Sequence, residues 1–406
     1  MSEKKISAII VFFIALILIS AGYYILLQSD SKNNHHRSDD DYSPPIIDKS
    51  SKELLESLTI AGNYLVNATN DDGSFVYEYN ASHNWESSSY NILRHAGTIY
   101  SMLQLYISIK DEQLLSASER AIEYLLSFSV EYDNATCIAY KDEIKLGGNA
   151  LAIIALAEHA KATGDNKNLL TMQNLAKYIK QSQKESGEFI SKRFYSTGEV
   201  SDFVSQYYPG EALLSLCRLY SLDYNETWLD LAEKGAQYLI NVRDAGVSTN
   251  DLIHDHWLLM ALNELYRYRE SELYLNHSMR IAESIIYKQR DGVNREAEHP
   301  DWLGSYYTPP GSTSTAARSE GLIAAYHLAV DFGDNDTASR ILDAIKLGVE
   351  FQFRTQFTSD NVEDLPDPQR AIGGFHESLN CYDIRIDYVQ HNICSILGLY
   401  NILQNN

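Results

Sequence analysis

One uninterrupted apolar run stands near the start of the chain. Residues 6–27 read ISAIIVFFIALILISAGYYILL and contain no charged side chain. A helix rises about 1.5 Å per residue, so roughly 20 residues cross a hydrocarbon core of about 30 Å. Two lysines precede the run and aspartates follow it, an order that by the positive-inside rule exports the rest of the chain. The sequence therefore predicts a signal-anchor helix with residues 1–5 as a cytoplasmic tip. A cleaved signal peptide is the alternative, and it also places the domain outside the cytoplasm.

The pattern changes after the apolar run. Residues 28–52 are polar and contain Pro44-Pro45, which is typical of a flexible linker. From 53 to 406, apolar residues recur at helical spacing between Gly, Pro and Asn punctuation, and this predicts one large helical domain. The predicted helices are 52–67, 89–109, 111–128, 147–162, 165–183, 207–222, 226–242, 250–268, 271–289, 313–331, 335–355 and 386–403.

These twelve helices alternate in character. Odd-numbered helices such as DEQLLSASERAIEYLLSF have one apolar face, whereas even-numbered helices such as GGNALAIIALAEHA are apolar most of the way round. Helices that are apolar all round are buried. Six buried helices inside six amphipathic ones form an all-α (α/α)6 toroid of six helical hairpins. An open helical solenoid would give similar pairs without closing the ring.

Polar side chains gather where the predicted inner helices begin. The longer loops precede these helices, so in a closed ring the helix N-termini meet at one rim, where they add partial positive charge. We expect these groups to surround one funnel: Asn91, Arg94, His95, Asn149, Tyr207, Tyr208, Glu211, Asp251, His254, Asp255, His256, Thr315, Arg318, Glu320, Arg385, Asp387, Tyr388 and His391.

Some of these residues also have a structural interpretation. Glu211 can stabilise its helix as a first-turn acid. Asp387 and His391 are four residues apart and can pair on one helix face. Asp251 is placed to cap its helix, and His95 has the alternative of a hydrogen-bonded core histidine.

Two arginines are harder to explain structurally. Arg94 and Arg318 stand at buried helix starts, where a guanidinium needs an anionic partner from the protein or from a substrate. His254 and His256 are two residues apart and lie on different helix faces, which suits zinc poorly. We therefore predict neither a metal nor a cofactor.

Composition narrows the range of partners. The 406 residues carry a net charge of -22, which disfavours nucleic acid as a partner. The chain has 29 tyrosines against 12 phenylalanines, and tyrosines in a pocket wall suit sugar binding.

The four cysteines of the chain form no CxxC pair, and Cys217 and Cys394 fit the core. Six glycosylation sequons agree with export: Asn67, Asn80, Asn134, Asn225, Asn276 and Asn335.

The last predicted helix carries a recognisable segment. YDIRIDYVQHNICSIL is similar to the C-terminal segment of D-glucuronyl C5-epimerases, in which an Arg-x-Asp-Tyr run precedes a histidine. Arg385, Asp387, Tyr388 and His391 match by type, although the histidine is one residue closer here. The paired helices with GSF, GEF and GGF turns also resemble six-hairpin glycosidase and terpenoid-cyclase toroids. This resemblance implies a funnel-shaped site that acts on a polysaccharide or an isoprenoid.

The expected function is action on a glycan, which is either neutral or uronate-containing. In a hydrolase, Glu211 would work with Asp255 or Asp387 as the two carboxylates. In a lyase or C5-epimerase, Tyr388 or Tyr208 would move the C5 proton, while an arginine neutralises the uronate.

The candidates divide into two sets. The predicted catalytic residues are Glu211, Asp255, Asp387, Tyr388 and His391. The predicted substrate-binding residues are Arg94, His95, Tyr207, Tyr208, His256, Arg318, Glu320 and Arg385. Two alternatives remain open: a non-catalytic glycan- or protein-binding module of the cell envelope, and an isoprenoid-handling toroid, although the QW-type and Asp-rich cyclase signatures are missing.

Overall fold

The computed structural model describes residues 49–405. The predicted cytoplasmic tip, the apolar run 6–27 and nearly all of the linker lie outside the described residues. Within residues 49–405, no helix has both the length and the apolar composition that crossing a membrane requires.

Twelve long helices build the described domain, and they follow the predicted order. Their bounds are α1 Ser51–Asn67, α2 Ile92–Ile109, α3 Glu112–Leu126, α4 Leu146–Thr163, α5 Leu169–Ser182, α6 Tyr208–Asp223, α7 Glu226–Tyr238, α8 His256–Tyr268, α9 Glu272–Lys288, α10 Ser312–Asp331, α11 Asn335–Phe353 and α12 Ile386–Asn405. A single helical turn, Pro368–Ala371, stands before α12.

The even-numbered helices form a closed inner ring. Each of α2, α4, α6, α8 and α10 packs against the next even-numbered helix, and α12 packs back against α2. Each inner helix also packs against the outer helix that follows it, while α12 packs against α1. The predicted (α/α)6 toroid is therefore confirmed, and closure excludes the open solenoid.

Burial explains why the even-numbered helices lie in the inner ring and the odd-numbered helices in the outer ring. In α4, every residue from 146 to 160 is buried, because small glycines and alanines let neighbouring helices approach on all sides. In α3, the buried residues are only those at helical spacing on one face, such as Leu114, Ala121 and Leu125. Cys217 and Cys394 are buried in the core, as predicted, and both are free thiols.

The predicted start of α8 was wrong. The helix begins at His256, not at 250, and Asp251 lies in the preceding 3-10 turn. Asp255 is the N-cap, because its carboxylate accepts from the amide of Leu258 at 3.1 Å, so the cap expected at Asp251 is four residues later.

Short strands lie in the segments that lead into the inner helices. They are β1 Glu78–Asn80, β2 Trp85–Glu86, β3 Ser129–Tyr132, β4 Ala135–Tyr140, β5 Glu143–Lys145, β6 Lys192–Phe194, β7 His376–Ser378 and β8 Cys381–Arg385. They form two four-stranded sheets, in the orders β2-β1-β8-β7 and β3-β4-β5-β6. β4 and β5 form an antiparallel hairpin directly before α4. The pairing of β1 with β8 joins the segment before α2 to the segment before α12 and so closes the seam of the ring.

The repeated GSF and GGF turns have a shared backbone cause. Gly73 and Gly373 have φ values of 84° and 90°, a region that side chains rarely adopt. A Cβ at Gly73 would lie 2.0 Å from the carbonyl oxygen of Arg120, and one at Gly373 would lie 2.0 Å from that of Ile60. Both turns therefore need glycine because they press against the backbone of an outer helix.

Candidate active site

A cavity of about 580 Å3 opens at the rim where the inner helices begin, and we call it the rim cavity. Its wall includes residues from the starts of α2, α6, α8, α10 and α12, as the topology predicts. Ten of the thirteen predicted site residues line it: Arg94, Tyr207, Tyr208, Glu211, His256, Arg318, Arg385, Asp387, Tyr388 and His391.

The other three predicted residues lie behind the cavity wall. His95 is fully buried, with its ring nitrogens hydrogen-bonded to the hydroxyl of Tyr90 and the carbonyl oxygen of Ala121. Burial lowers the pKa of His95 to about 4, so it is a neutral core histidine. Asp255 caps α8, and burial raises its pKa to about 7. Glu320 reaches the rim cavity only through a hydrogen bond to His391.

Two histidines from different helices meet in the rim cavity. The rings of His256 and His391 are 5.2 Å apart between centroids and nearly perpendicular, at 80°. His256 is the first residue of α8, and His391 lies in the second turn of α12. Ring closure brings them together, although 135 positions separate them in the sequence.

The two histidines have opposite proton affinities. His391 Nδ1 and Glu320 Oε1 are 2.6 Å apart and share a proton. Burial lowers the pKa of His391, but the Glu320 carboxylate outweighs burial and leaves that pKa above its ordinary value. Burial, with the charges of His391 and Arg318, holds the pKa of His256 far below its ordinary value. The Nε2 atom of His256 is buried and has no hydrogen-bond partner among the described residues. His391 is therefore more readily protonated than an ordinary histidine, and His256 is less readily protonated.

An arginine–aspartate cluster forms another part of the cavity wall. Arg385 Nε lies 2.6 Å from Asp387 Oδ1, and Arg94 Nε lies 3.0 Å from Asp387 Oδ2. Arg94 thus has the anionic partner that its position required. Asp387 does not pair with His391, whose partner is Glu320. Both oxygens of Asp387 are held by arginines, so its main effect is to fix the two guanidinium groups.

Arg318 has a different environment. Its guanidinium donates to His254 Nδ1 at 2.9 Å, to the carbonyl oxygen of Ser314 at 2.7 Å and to the hydroxyl of Tyr307. All three acceptors are neutral, and in residues 49–405 Arg318 forms no ion pair with a carboxylate.

Glu211 supplies a protonated carboxyl group. It is buried, and its Oε2 has no hydrogen-bond partner within the described residues. Burial, reinforced by the charge of Asp255, raises the pKa of Glu211 to about 8. At neutral pH, Glu211 is therefore mostly a neutral acid that can donate a hydrogen bond.

Aromatic side chains complete the wall. Burial raises the pKa values of Tyr208 and Tyr388 well above the ordinary tyrosine value, so neither forms a phenolate readily near neutral pH. Trp257, Tyr307 and Glu377 also line the rim cavity, and sequence analysis did not single them out. Trp257 directly follows His256, which was the one available signal. Tyr307 lies in the segment before α10 and Glu377 lies in β7, so neither is at a helix start.

One group of side chains at the rim cavity has the chemistry for a metal ion. Ligand atoms of His256, Glu320 and His391 all lie within 4.8 Å of one another. The 2.6 Å hydrogen bond between His391 and Glu320 occupies two of these atoms with a proton, which a metal ion would have to displace. The arrangement fits proton transfer more simply than metal binding.

The fold is shared with solved structures of enzymes that act on carbohydrates. A D-mannose isomerase matches with a TM-score of 0.65 and 14% identity over 89% of this chain and 100% of its own. A cellobiose 2-epimerase from Spirochaeta thermophila matches with a TM-score of 0.61 and 14% identity over 89% of this chain and 100% of its own.

Glycoside hydrolases share the fold as well. An inactive variant of an alpha-1,6-mannanase from Salegentibacter sp., in complex with alpha-1,6-mannotriose, matches with a TM-score of 0.61 and 14% identity over 87% of this chain and 100% of its own. The sequence matches no protein-family model and no curated protein. At this identity the likeness shows the (α/α)6 toroid fold.

Proposed function

We propose that the chain is a carbohydrate-active enzyme that acts as a sugar 2-epimerase or an aldose–ketose isomerase. It removes the proton from the carbon beside the carbonyl group of a sugar and returns a proton either to that carbon or to the former carbonyl carbon. The observation that carries this proposal is the His256–His391 pair in the rim cavity, with rings 5.2 Å apart and opposite protonation preferences. Groups whose environments push their pKa values apart are suited to acid and base roles.

The reaction needs one base and one acid. His256, which is neutral, takes the proton from the carbon beside the carbonyl group of the open-chain sugar. His391 donates a proton to the carbonyl oxygen, and the product of this step is an enediol. For isomerisation, the proton returns to the former carbonyl carbon while a hydroxyl proton returns to His391. For epimerisation, the enediol turns its other face towards His256, which returns the proton to the original carbon, while the hydroxyl proton of the former carbonyl oxygen returns to His391. Positioned acid–base groups contribute about 10²- to 10⁴-fold to such steps.

Other wall residues have binding roles in this proposal. Glu211, as a neutral acid, donates a hydrogen bond to a sugar oxygen. Arg94 and Arg385, fixed by Asp387, present N–H groups to hydroxyls, and Trp257 and Tyr388 offer apolar faces to the sugar ring. Tyr388 and Tyr208 are poor bases because burial raises their pKa values, which disfavours the tyrosine-based C5 chemistry.

The activities of proteins that share the fold support this proposal. They include a D-mannose isomerase, a sugar epimerase from a ruminal bacterium and two cellobiose 2-epimerases. The proposal is tested by incubating the protein with D-mannose, D-glucose and cellobiose and analysing the products by chromatography. His256→Asn and His391→Asn should each lower conversion about 10²- to 10⁴-fold. Conversion that persists in both variants would exclude the two-histidine chemistry.

A glycan hydrolase is the second candidate, because Glu211 is a protonated acid in the cavity wall. Its weakness is the second carboxylate. Arginines hold Asp387, Asp255 lies behind the wall, and the remaining carboxylate of the wall, that of Glu377, is exposed. In the inactive mannanase variant, two adjacent aspartates are replaced. Between residues 49 and 405, the only adjacent aspartates are Asp71 and Asp72, which are exposed and outside the rim cavity. Release of reducing ends from alpha-1,6-mannan, lost in Glu211→Gln, would favour this candidate.

We also propose that residues 6–27 anchor the chain in a membrane, with the toroid outside the cytoplasm. The support is the uncharged apolar run and the lysines that precede it. Cell fractionation of the full chain and of a variant lacking 6–27 tests this proposal. The full chain should sediment with membranes and be digested by protease added outside the cytoplasmic membrane. A protease-resistant or fully soluble full chain would exclude the anchor.

A further inference from the structure

A second cavity opens beside the rim cavity, and we call it the side cavity. Its volume is about 600 Å3, and its wall comes from the segments before α8 and α10 and from the end of α9. Tyr207, His254, Tyr307 and Arg318 line both cavities. One ligand can therefore occupy both, with Arg318 at the junction.

The side cavity has the opposite charge balance from the whole protein. Its wall carries Lys288, Arg295 and Arg318 against one carboxylate, that of Asp251, in a chain of net charge -22. Arg295 donates to the backbone carbonyl oxygen of Lys288 at 3.0 Å, and this contact neutralises neither positive charge. A cleft lined by one sign of charge concentrates ligands of the opposite sign.

Arg318 is the most strongly desolvated of these cations. Only 7% of its surface is exposed, and its hydrogen bonds go to neutral acceptors. His254 remains neutral, because burial and the charges of Arg318 and Lys288 lower its pKa to about 3. Since His254 Nδ1 accepts from Arg318, its Nε2–H is left to donate to Ser284 Oγ at 2.9 Å. These contacts fix the guanidinium without neutralising it, and a buried unpaired charge is costly.

The guanidinium also has unused donors. A guanidinium carries five N–H groups, and the three contacts use one each on Nε, Nη1 and Nη2. One N–H therefore remains on each terminal nitrogen. These two N–H groups are what a carboxylate needs to form a bidentate pair with an arginine.

We propose that the junction of the two cavities is a subsite for an anionic sugar substituent, with a uronate carboxylate held by Arg318 and attracted by Lys288 and Arg295. This inference rests on the proposed function for the sugar that occupies the rim cavity. The proposed subsite predicts that the substrate is a sugar with an acidic group. Arg318 is a specificity-determining residue in this assignment, distinct from the histidine pair.

The experiment compares sugars that differ only in the anionic group. Binding of D-glucuronate, D-glucose 6-phosphate and D-glucose to the whole protein is measured by isothermal titration calorimetry at low and high salt. We expect D-glucuronate to bind about tenfold or more tightly than D-glucose, with the difference reduced by salt. Arg318→Met should remove the preference for D-glucuronate over D-glucose.

Two further variants separate the subsite from folding effects and from general charge. The double variant Lys288→Gln, Arg295→Gln changes only partly buried side chains and should weaken D-glucuronate binding even if Arg318→Met fails to fold. Lys161→Gln is the matched control, because Lys161 lines a separate cavity at the other end of the ring. It should leave the preference unchanged.

The outcomes distinguish this inference from the proposed function. Equal affinity for D-glucuronate and D-glucose, or no binding of either, overturns the anionic subsite, whether or not neutral aldoses are converted. Tighter binding of D-glucose 6-phosphate than of D-glucuronate keeps an anion site and overturns its assignment to a carboxylate. Preferential D-glucuronate binding without any sugar conversion keeps the subsite and overturns the proposed function.

Discussion

The contact between Glu320 and His391 gives the sharpest prediction about the site. Glu320 Oε1 lies 2.6 Å from His391 Nδ1, and the carboxylate keeps the pKa of His391 above its ordinary value against the effect of burial. In Glu320→Gln, the ring loses its anionic partner while the side-chain volume is kept. The pKa of His391 then falls, because burial is no longer opposed.

The sign and the size of the effect follow from the role of His391. If His391 donates a proton, activity declines as the pH rises through its pKa, so a lower pKa moves the alkaline limb of the pH profile to lower pH. Hydrogen bonds to charged groups contribute about 1.5–3 kcal/mol. At about 1.4 kcal/mol per tenfold, the loss corresponds to roughly a 10- to 150-fold fall in kcat near neutral pH.

The assay is a pH–rate profile of sugar conversion with a matched control. Glu158→Gln also removes a buried carboxylate from an inner helix, where Glu158 pairs with Arg218 at 2.6 Å and contacts neither histidine. Both variants should be less stable on heating, but only Glu320→Gln should shift the alkaline limb. If the profiles of Glu320→Gln and the wild type superimpose, Glu320 does not tune a catalytic His391.

Two other substitutions test the packing around the site and the charge pairs outside it. A Cβ on Gly147 would lie 2.2 Å from Glu211 Oε2, whereas a Cβ on Gly148 would come no closer than 3.3 Å to any neighbour. Gly147→Ala should therefore disturb sugar binding, measured by calorimetry, and Gly148→Ala should not. Equal effects of both would show that the wall tolerates a shift of Glu211. Burial alone would raise the pKa of Asp244. The hydrogen bonds from Arg243 and His277 outweigh burial and lower this pKa from 3.8 to about 2. Its stabilisation is therefore present above about pH 4 and lost as the pH falls towards 2. Asp244→Asn should lower the free energy of urea unfolding by about 2 kcal/mol at pH 7, with a gap that narrows in acid; a constant gap would contradict this pairing.

Much of the fold follows from local sequence patterns. The 3.6-residue periodicity fixes where helices lie, and its absence in segments such as GGNALAIIALAEHA marks helices buried on all sides. Six pairs then suggest a closed ring. The start of α8 was misplaced, because Asp251 and Asp255 are equally good caps in sequence terms, and only the chain geometry selects Asp255. The short strands were mostly missed, since they pair segments as distant as 78–80 and 383–385.

The site was predictable as a location and less so as chemistry. Ring topology dictates that inner-helix starts converge, and ten candidates do line the rim cavity. The partners of those residues depend on contacts across the ring. Glu320 lies 71 positions from His391, and no local pattern indicates that they share a proton. His95 is a candidate by position, yet its ring turns outward to the carbonyl oxygen of Ala121, a contact that depends on how α3 packs.

Deuterium transfer from solvent tests the two-histidine proposal most directly. The protein is incubated with an aldose that it converts, in D2O, and the sugar carbons are followed by NMR. If His256 and His391 pass the proton, solvent deuterium appears on the carbon beside the carbonyl group or on the former carbonyl carbon. This incorporation should be lost in His256→Asn, whose side chain cannot act as a base. Incorporation at the wild-type rate in His256→Asn would contradict proton transfer by this pair.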